Sequence, residues 1–346
     1  MKQIRALRVN SIEPKKSKAS QAQQVSLENI DIEHLGRGEV LIRTEFSSLN
    51  YKDALAVTGR APILKKLPLV PGIDVSGEVV ESQSAEYSPG QKVLVTGCGL
   101  GEDQDGGYAE IVRVPATSVV PIPQGLDTRL AMILGTAGFT AALSLYRMEQ
   151  NGQRPEQGPV VVTGASGGVG SLATGLLAQR GYEVIAVSGK ADMSNFLMEL
   201  GATKVLSPGE LHLGSRPLER ARYAGAIDNV GGELLAGLSR HVDLWGNIAC
   251  VGLAGGSELH CSVMPMILRG VSFLGISSNN TPRPLRLKIW ELLASEWKPK
   301  NLEGLVSQTL SLEQIPEAAE RMLQRQSTGR SLVALQPLPL KAPGPF

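Results

Sequence analysis

The run Val160-Val161-Val162-Thr163-Gly164-Ala165-Ser166-Gly167-Gly168-Val169-Gly170 leads from a short apolar stretch into a segment of helical spacing. It carries the pattern A-x-G-x-x-G as Ala165, Gly167 and Gly170. In a strand–turn–helix unit of this kind the first position makes the tight turn, the second lets backbone approach a pyrophosphate, and the third lets helix and strand pack closely. The helix N-terminus then turns unpaired N–H groups and a positive dipole end toward the phosphates. The bland alternative is a glycine loop that serves only as a turn. The flanking strand and helix favour dinucleotide binding by Ala165, Ser166, Gly167, Gly168, Val169 and Gly170.

The choice of dinucleotide rests on the next strand. An enzyme that takes NAD usually ends this strand in Asp or Glu, which holds the ribose 2′-hydroxyl. This chain has Val187-Ser188-Gly189-Lys190 there. A carboxylate would repel a 2′-phosphate, whereas Ser188 can donate a hydrogen bond and Lys190 supplies a charge beside Gly189. The expected cofactor is therefore NADPH, against the reading of Lys190 as an exposed turn lysine. Metal chemistry has no comparable signal. Cys98, Cys250 and Cys261 share no C-x-x-C spacing, and His34, His212, His241 and His260 are scattered. They suit reduced thiols and isolated imidazoles better than an open three-ligand zinc site, so no metal is expected.

These residues need a scaffold, and the chain has two textures. From Leu7 to about Pro123, short runs such as Val40–Arg43, Gly77–Val80, Lys92–Val95 and Ala109–Val112 are punctuated by Pro71-Gly72 and Ser88-Pro89-Gly90. That pattern predicts an antiparallel, barrel-like domain. After Pro123 strands and helices alternate: Val160–Thr163, Ser171–Arg180, Glu183–Val187, Asn195–Leu200 closed by Gly201, Lys204–Leu206, Ala224–Asn229 and Asn247–Val251. Such a series predicts an α/β fold with a doubly wound parallel sheet. The expected division is 1–125 for the first domain and 126–297 for the nucleotide domain. Residues 298–346 would return to the first domain and end in a proline-rich, disordered tail, Pro337–Phe346.

Size and composition agree. At 346 residues the chain exceeds what one hydrophobic core usually fills. Hydrophobic residues at 42% and charged residues at 19% fit a globular enzyme, and a net charge of +1 gives no basic footprint for nucleic acid. Glycine and threonine interrupt the most apolar stretch, Ala131–Tyr146, which reads as a buried helix start, and the N-terminus has no signal-peptide pattern. A cytoplasmic protein without membrane association is expected.

Several motifs together carry a resemblance: Asn50-Tyr51-Lys52-Asp53, Val70-Pro71-Gly72-Ile73-Asp74-Val75-Ser76-Gly77, Gly106-Gly107-Tyr108-Ala109-Glu110, Gly135-Thr136-Ala137-Gly138-Phe139-Thr140-Ala141, Ser188-Gly189-Lys190, Arg216-Pro217-Leu218-Glu219 and Gly252-Leu253-Ala254-Gly255-Gly256. From about Arg5 to Leu335 the chain resembles the quinone-oxidoreductase-like medium-chain dehydrogenase/reductases, and within them the acrylyl-CoA reductase (AcuI/YhdH) group. The resemblance implies a GroES-like β-barrel catalytic domain plus a Rossmann domain, with the active site in the cleft between them. Zinc-dependent relatives carry a His-Glu pair where this chain has Ile73-Asp74, and a four-cysteine lobe that it lacks. The chain departs from the group at Lys190, where arginine is common, at Pro208, and at Ser277-Ser278-Asn279-Asn280.

The activity so implied is NADPH-dependent reduction of an α,β-unsaturated acyl-CoA, acrylyl-CoA to propionyl-CoA. Hydride adds to the β-carbon, charge develops on the thioester oxygen, and a proton follows at the α-carbon. Tyr51 is the candidate proton donor or nicotinamide-side contact. Asn50 is a candidate hydrogen-bond partner of the nicotinamide amide or the substrate, and Asp53 a candidate to orient Tyr51 or Lys52. The competing reading of the tetrapeptide is a capped helix start with a packed tyrosine. Thr136, Leu253, Ile267 and Ser278 are further candidate cofactor contacts, with ordinary core as the alternative for Leu253 and Ile267. A quinone or enone reductase of the same fold, or a non-catalytic NADPH-binding scaffold, are the other functions left open. The apolar run Val271–Ile276, read as an edge strand, suggests a homodimer.

Overall fold

The computed structural model describes residues 3–11 and 23–335; the tail Pro337–Phe346 lies outside them. The chain divides into two compact units, Met1–Thr136 with Leu302–Phe346, and Ala137–Asn301.

The first unit contains β1 (Gln3–Ser11), β2 (Gln23–Asp31), β3 (Val40–Leu49), α1 (Tyr51–Thr58), β4 (Asp74–Ser82), β5 (Lys92–Thr96), β6 (Ile111–Val114) and β7 (Val120–Pro121). The predicted run Ala109–Val112 begins two residues too early, since Ala109 and Glu110 precede β6. The turn at Ser88-Pro89-Gly90 delivers the chain into β5, with Gly90 at φ 88°.

Helix α2 (Thr128–Gln150) starts in this unit and is broken at Gly135, where φ is 50° and ψ is −156°. By length and composition it is the one described helix that would span a membrane, yet most of it is buried in the fold. Its sequence break at Gly135 and Thr136 is also the boundary between the units.

The second unit alternates β8 (Val160–Thr163), α3 (Gly168–Gln179), β9 (Val184–Val187), α4 (Ser194–Glu199), β10 (Lys204–Leu206), β11 (Tyr223–Asp228), α5 (Gly232–Ser239), β12 (Val242–Cys250), α6 (Met264–Arg269), β13 (Ser272–Gly275) and α7 (Arg283–Ala294). Among the described residues its strands form one six-stranded parallel sheet in the order β10-β9-β8-β11-β12-β13. The chain winds outward from β8 in one direction and then, from β11, in the other. That doubly wound order leaves a crevice at the carboxyl ends of β8 and β11, where loops diverge. The apolar strands explain the burial: every residue of β8 and β9 is buried, with Val161, Ile185, Val187, Ala226 and Ile248 in one core.

The last segment, β14 (Val306–Leu310), α8 (Ile315–Leu323) and β15 (Arg330–Ala334), completes the first unit. Its larger sheet runs β14-β15-β3-β4-β5-β7, with β6 also paired to β3. All pairings are antiparallel except β14 with β15. Ile315, Ala318 and Ala319 of α8 share a core with Ala54 and Val57 of α1, which seats α1 on the sheet.

Candidate active site

In the first unit the tetrapeptide Asn50-Tyr51-Lys52-Asp53 forms the start of α1, with Asn50 in extended backbone at the N-cap. Asp53 at the third helical position accepts the Asn50 backbone N–H at 2.8 Å, one half of a capping box. It also accepts the Ile73 N–H at 2.9 Å and the Asn50 Nδ2–H at 3.1 Å. Asp53 bonds neither Tyr51 nor Lys52 directly; its carboxylate is spent on the helix start and on the β4 approach. Lys52 instead pairs with Glu102 at 3.0 Å.

The amide of Asn50 is engaged as well. Nδ2 donates to Asp74 Oδ2 at 2.8 Å and lies within reach of Ser48 Oγ at 3.2 Å, while Oδ1 accepts from Arg330 Nη1 at 3.1 Å. Asn50 thus reaches inward to a carboxylate and a guanidinium. Tyr51 differs from its neighbours. Its side chain is 42% exposed and its hydroxyl has no hydrogen-bond partner among the described residues.

Asp74 and Arg330 were not singled out for this role by sequence, and they organise the site. Asp74 is fully buried. It accepts from Ser48 Oγ at 2.6 Å, from the Thr136 backbone N–H at 2.9 Å and from Thr136 Oγ1 at 2.6 Å, besides Asn50. The break in α2 makes this possible. In an unbroken helix the Thr136 N–H would bond to the carbonyl four residues back; turned aside at Gly135, it points at Asp74 instead. The carbonyls of Ile133 and Met132, left behind by the break, accept from Arg330 Nε at 2.7 Å and Nη2 at 3.4 Å. Only glycine fits at the break: φ is positive, and a Cβ at Gly135 would lie 2.6 Å from Asp74 Oδ2 and 2.8 Å from Arg330 Nη2.

Two buried carboxylates lie near one buried guanidinium here, and the electrostatics follow. Burial, reinforced by the Asp74 charge, pushes the Asp53 carboxyl up to about 7. Burial also raises the Tyr108 hydroxyl well above its ordinary value, with Asp53 and Asp74 adding to the effect, and its hydroxyl donates to the Ser48 carbonyl at 3.1 Å. Burial draws the Arg330 guanidinium down, opposed by Asp74 and Asp53. Donors surround the Asp74 carboxylate at this pair. Ile73 has no lone pair to give, and the Asp74 carboxylate is already filled by Ser48, Asn50 and Thr136. Among the described residues no group of three His, Cys, Asp or Glu side chains is placed to hold a metal ion.

In the second unit the glycine loop bends between β8 and α3. The left-handed turn falls at Gly164, with φ 58°, and not at Ala165, as the spacing had implied. Gly167 caps α3 in ordinary extended backbone, and Gly168, Val169 and Gly170 form the first turn. A Cβ on Gly170 would meet the Gly164 carbonyl oxygen at 2.3 Å, so glycine is required there by helix–strand packing. A Cβ on Gly167 would meet only that oxygen, at 3.3 Å. Ala165 is buried, and Ser166 Oγ lies 3.1 Å from Ser188 Oγ, tying the loop to the end of β9. The Lys190 N–H donates to Ser188 Oγ at 3.1 Å, and a Cβ on Gly189 would meet nothing within 4 Å. Burial lowers the Lys190 ammonium from its ordinary value, with Asp192 opposing.

Further residues missed by sequence reasoning brace the same edge of the sheet. Thr163 Oγ1 donates to the buried Asp228 at 2.7 Å, and Asn229 Nδ2 donates to the Thr163 carbonyl at 2.7 Å, joining the carboxyl ends of β8 and β11. Burial raises the Asp228 carboxyl, against hydrogen bonds from Thr163 and from the Gly231 and Val230 backbone. The loop after β12 packs on the loop after β11 through Gly255 N–H to the Val230 carbonyl at 2.7 Å. Leu253 in that loop is 61% exposed, so it is not core. Ser278, past the carboxyl end of β13, is fixed through its carbonyl by Arg286 Nη2 at 2.8 Å, and Arg286 itself lies 5.0 Å over the Phe139 ring. Ile267 lies on α6 and is 74% exposed, so it is not core either. An acid at a strand end, as in Ile227-Asp228-Asn229, was a usable signal; Arg330 and Asn50, 280 positions apart, offered none.

Residues 36–124 match the family model of the alcohol dehydrogenase GroES-like domain, and residues 168–295 that of the zinc-binding dehydrogenases. Acrylyl-CoA reductase AcuI of Ruegeria pomeroyi is 41% identical over 325 residues, 94% of this chain and 98% of that protein. A candidate quinone oxidoreductase, YhfP of Bacillus subtilis, is 43% identical over 312 residues, 90% of this chain and 94% of that protein. Its crystal structure with NAD bound superposes with a TM-score of 0.91 over 97% of this chain and 100% of that one. The crystal structure of Escherichia coli K-12 YhdH with bound NADPH gives a TM-score of 0.90 at 43% identity, over 96% of this chain and 100% of that one. The chain belongs to the medium-chain dehydrogenase/reductases, in the branch of AcuI, YhdH and YhfP, and is an oxidoreductase built from a GroES-like unit and a Rossmann unit.

Proposed function

We propose that this oxidoreductase reduces an α,β-unsaturated acyl-CoA thioester with NADPH, acrylyl-CoA to propionyl-CoA, without zinc. The observation that carries the reading is the isolation of the Tyr51 hydroxyl. Within its tetrapeptide Asn50 and Asp53 are consumed by the buried network and Lys52 by Glu102, while Tyr51 is exposed and its hydroxyl bonds no other described residue. The glycine loop suits the cofactor: nothing in the protein's own packing forbids a side chain at Gly167, so the advantage of glycine there is the room it leaves for a pyrophosphate. Ser188 and Lys190, with no carboxylate at the end of β9, favour the 2′-phosphate.

Bound NADPH supplies the hydride that adds to the β-carbon of the thioester. Tyr51 then serves the other half of the reaction. Its hydroxyl donates to the thioester oxygen as charge builds there, and its proton passes to the α-carbon, leaving a phenolate that solvent reprotonates. Asn50, Asp53, Asp74 and Arg330 hold the first turn of α1 so that this hydroxyl keeps its direction. Gly168, Val169, Leu253 and Ser278 line the carboxyl edge of the Rossmann sheet as cofactor contacts. Ile267 is assigned instead, with Val263, Met264 and Leu268, to an apolar surface beside edge strand β13 that pairs two copies of the chain.

A second reading, reduction of a quinone or enone, is favoured by the likeness to YhfP. The deciding experiment follows NADPH oxidation with acrylyl-CoA and a simple quinone in parallel. Fast turnover of the thioester, slow turnover of the quinone and a fall in kcat of about 100-fold or more in Tyr51→Phe are expected. Quinone turnover alone transfers the reading to YhfP chemistry, and silence with both leaves an NADPH-binding scaffold.

A further inference from the structure

The motif Arg216-Pro217-Leu218-Glu219, which the candidate site does not use, lies in a surface loop whose two ends meet at one buried side chain. His241 immediately precedes β12 and is 4% exposed. Its Nε2 lies 2.9 Å from the Leu213 carbonyl oxygen, and its Nδ1 lies 2.9 Å from the Arg220 carbonyl oxygen. Leu213 opens the loop and Arg220 closes it, while Gly214, Ser215, Arg216 and Pro217 between them are exposed. Within the loop the Arg216 backbone N–H and Nε donate to the Glu219 carboxylate, each at 3.0 Å.

A third group competes for the ring. Arg222 Nε–H is directed at Nδ1, at 3.2 Å, and only a bare nitrogen can accept it. A carbonyl, by contrast, needs a proton on the nitrogen it faces. No single protonation state of the imidazole serves all three groups. As imidazolium it donates to both carbonyls and gives up Arg222, whose Nη2 still donates to the Leu211 carbonyl at 2.7 Å. As the neutral Nε2–H tautomer it keeps Leu213, accepts from Arg222 and leaves the Arg220 carbonyl without this donor. The surrounding charges pull both ways. Glu219, held at about 2 by Arg216 first, stays ionised and favours the imidazolium. Arg222, Arg240 and Arg269 work against it; Arg240 donates to the Gly214 carbonyl at 2.8 Å, and Arg269 to the Arg240 carbonyl at 2.9 Å. Tyr223 meets the ring edge-on at 6.2 Å between centroids, and burial raises its hydroxyl, which stays neutral. The exposed His212 stands next to Leu213. We propose that His241 is a pH-operated clasp on the loop 213–220: protonated, it holds both ends, and deprotonated, it lets go of the Arg220 end.

Histidine is the side chain that ordinarily changes charge between about pH 5 and about pH 8. Amide hydrogen exchange of the full chain, corrected for the intrinsic effect of pH on exchange and read by mass spectrometry on a peptide spanning the loop, follows the clasp. In the wild type, protection of the loop is expected to fall about tenfold from about pH 5 to about pH 8, the effect of one hydrogen bond from a charged donor. In His241→Gln, whose amide offers one donor group and one acceptor as the neutral ring does, protection is expected to be the same at both ends of that range. His212 remains in this variant, so a pH dependence that survives in it belongs elsewhere and overturns the proposal. Wild-type protection that does not change with pH overturns it as well. Should His241→Gln fail to fold, nitrogen NMR of the wild-type ring decides. Protons on both ring nitrogens at about pH 5 and on Nε2 alone at about pH 8 are expected. A proton on Nδ1 alone at the higher pH, or one protonation state throughout, overturns the clasp.

Discussion

Asp53 is a helix-capping acid held in a place where its charge is unwelcome. Its carboxyl is raised from 3.8 to about 7, by burial first and by the Asp74 charge second. Between those two values the folded chain keeps a proton that the unfolded chain has released. This group's contribution to stability is therefore complete below about pH 4 and declines as the pH rises to about 7, by on the order of a few kcal/mol. Urea midpoints measured from about pH 5 to about pH 7.5 should fall in the wild type and stay flatter in Asp53→Asn; parallel curves would contradict this origin. Lys190 acts at the same scale. Lys190→Ala is expected to weaken NADPH by roughly 10-fold or more and leave NADH nearly unchanged, since only the former carries a 2′-phosphate. Equal losses for the two dinucleotides in a binding titration would assign Lys190 to the fold.

At the scale of elements, the glycines of the β8–α3 corner have different tasks. Gly170→Ala drives a methyl group into the Gly164 carbonyl at 2.3 Å and is expected to cost several kcal/mol of stability, on the order of overpacking a core. Gly167→Ala meets one atom at 3.3 Å, so thermal unfolding should change little while NADPH affinity drops severalfold. A melting temperature lowered equally by both would remove the distinction. This corner was legible in sequence because its logic is local: strand, loop and helix are consecutive, and β8, β9 and β10 follow from short apolar runs between glycines. Even so the tight turn fell one residue earlier than the spacing implied, at Gly164, because the fingerprint marks contacts and not dihedral angles. The break in α2 was hinted at by Gly135-Thr136 but its purpose was not. That depends on Asp74, 62 positions from Thr136 in sequence, and on Arg330 from β15, and no local periodicity reports such pairs.

For the whole molecule, a group of exposed apolar side chains lies where sequence expected a strand edge. Val271–Ile276 was read as the last strand, and β13 at Ser272–Gly275 does end the sheet. Val263, Met264, Ile267 and Leu268 stand exposed on and beside α6, which directly precedes it. Light scattering at micromolar concentration is expected to give the mass of two chains, and Ile267→Asp with Leu268→Asp the mass of one. A wild-type chain that runs as a single copy would refute the pairing. Leu253 and Ile267 also show where sequence reasoning is weakest: an apolar side chain in a glycine-rich loop or on a short helix reads as core until its neighbours are known.

The GroES-like unit is assembled from two stretches of chain separated by the whole Rossmann unit, and this imposes an order on biosynthesis. Residues 137–301 form a contiguous unit and all their partners have left the ribosome before β14 exists. The earlier stretch has to wait. Until β15 emerges, Asp53 and Asp74 have no guanidinium nearby to offset their charge, and Asn50 and the carbonyls of Met132 and Ile133 have no donor from Arg330. A nascent chain that stops short of residue 330 therefore carries two acids it cannot bury at tolerable cost. The first unit therefore closes only when its last strand brings Arg330 to Asn50, Met132 and Ile133.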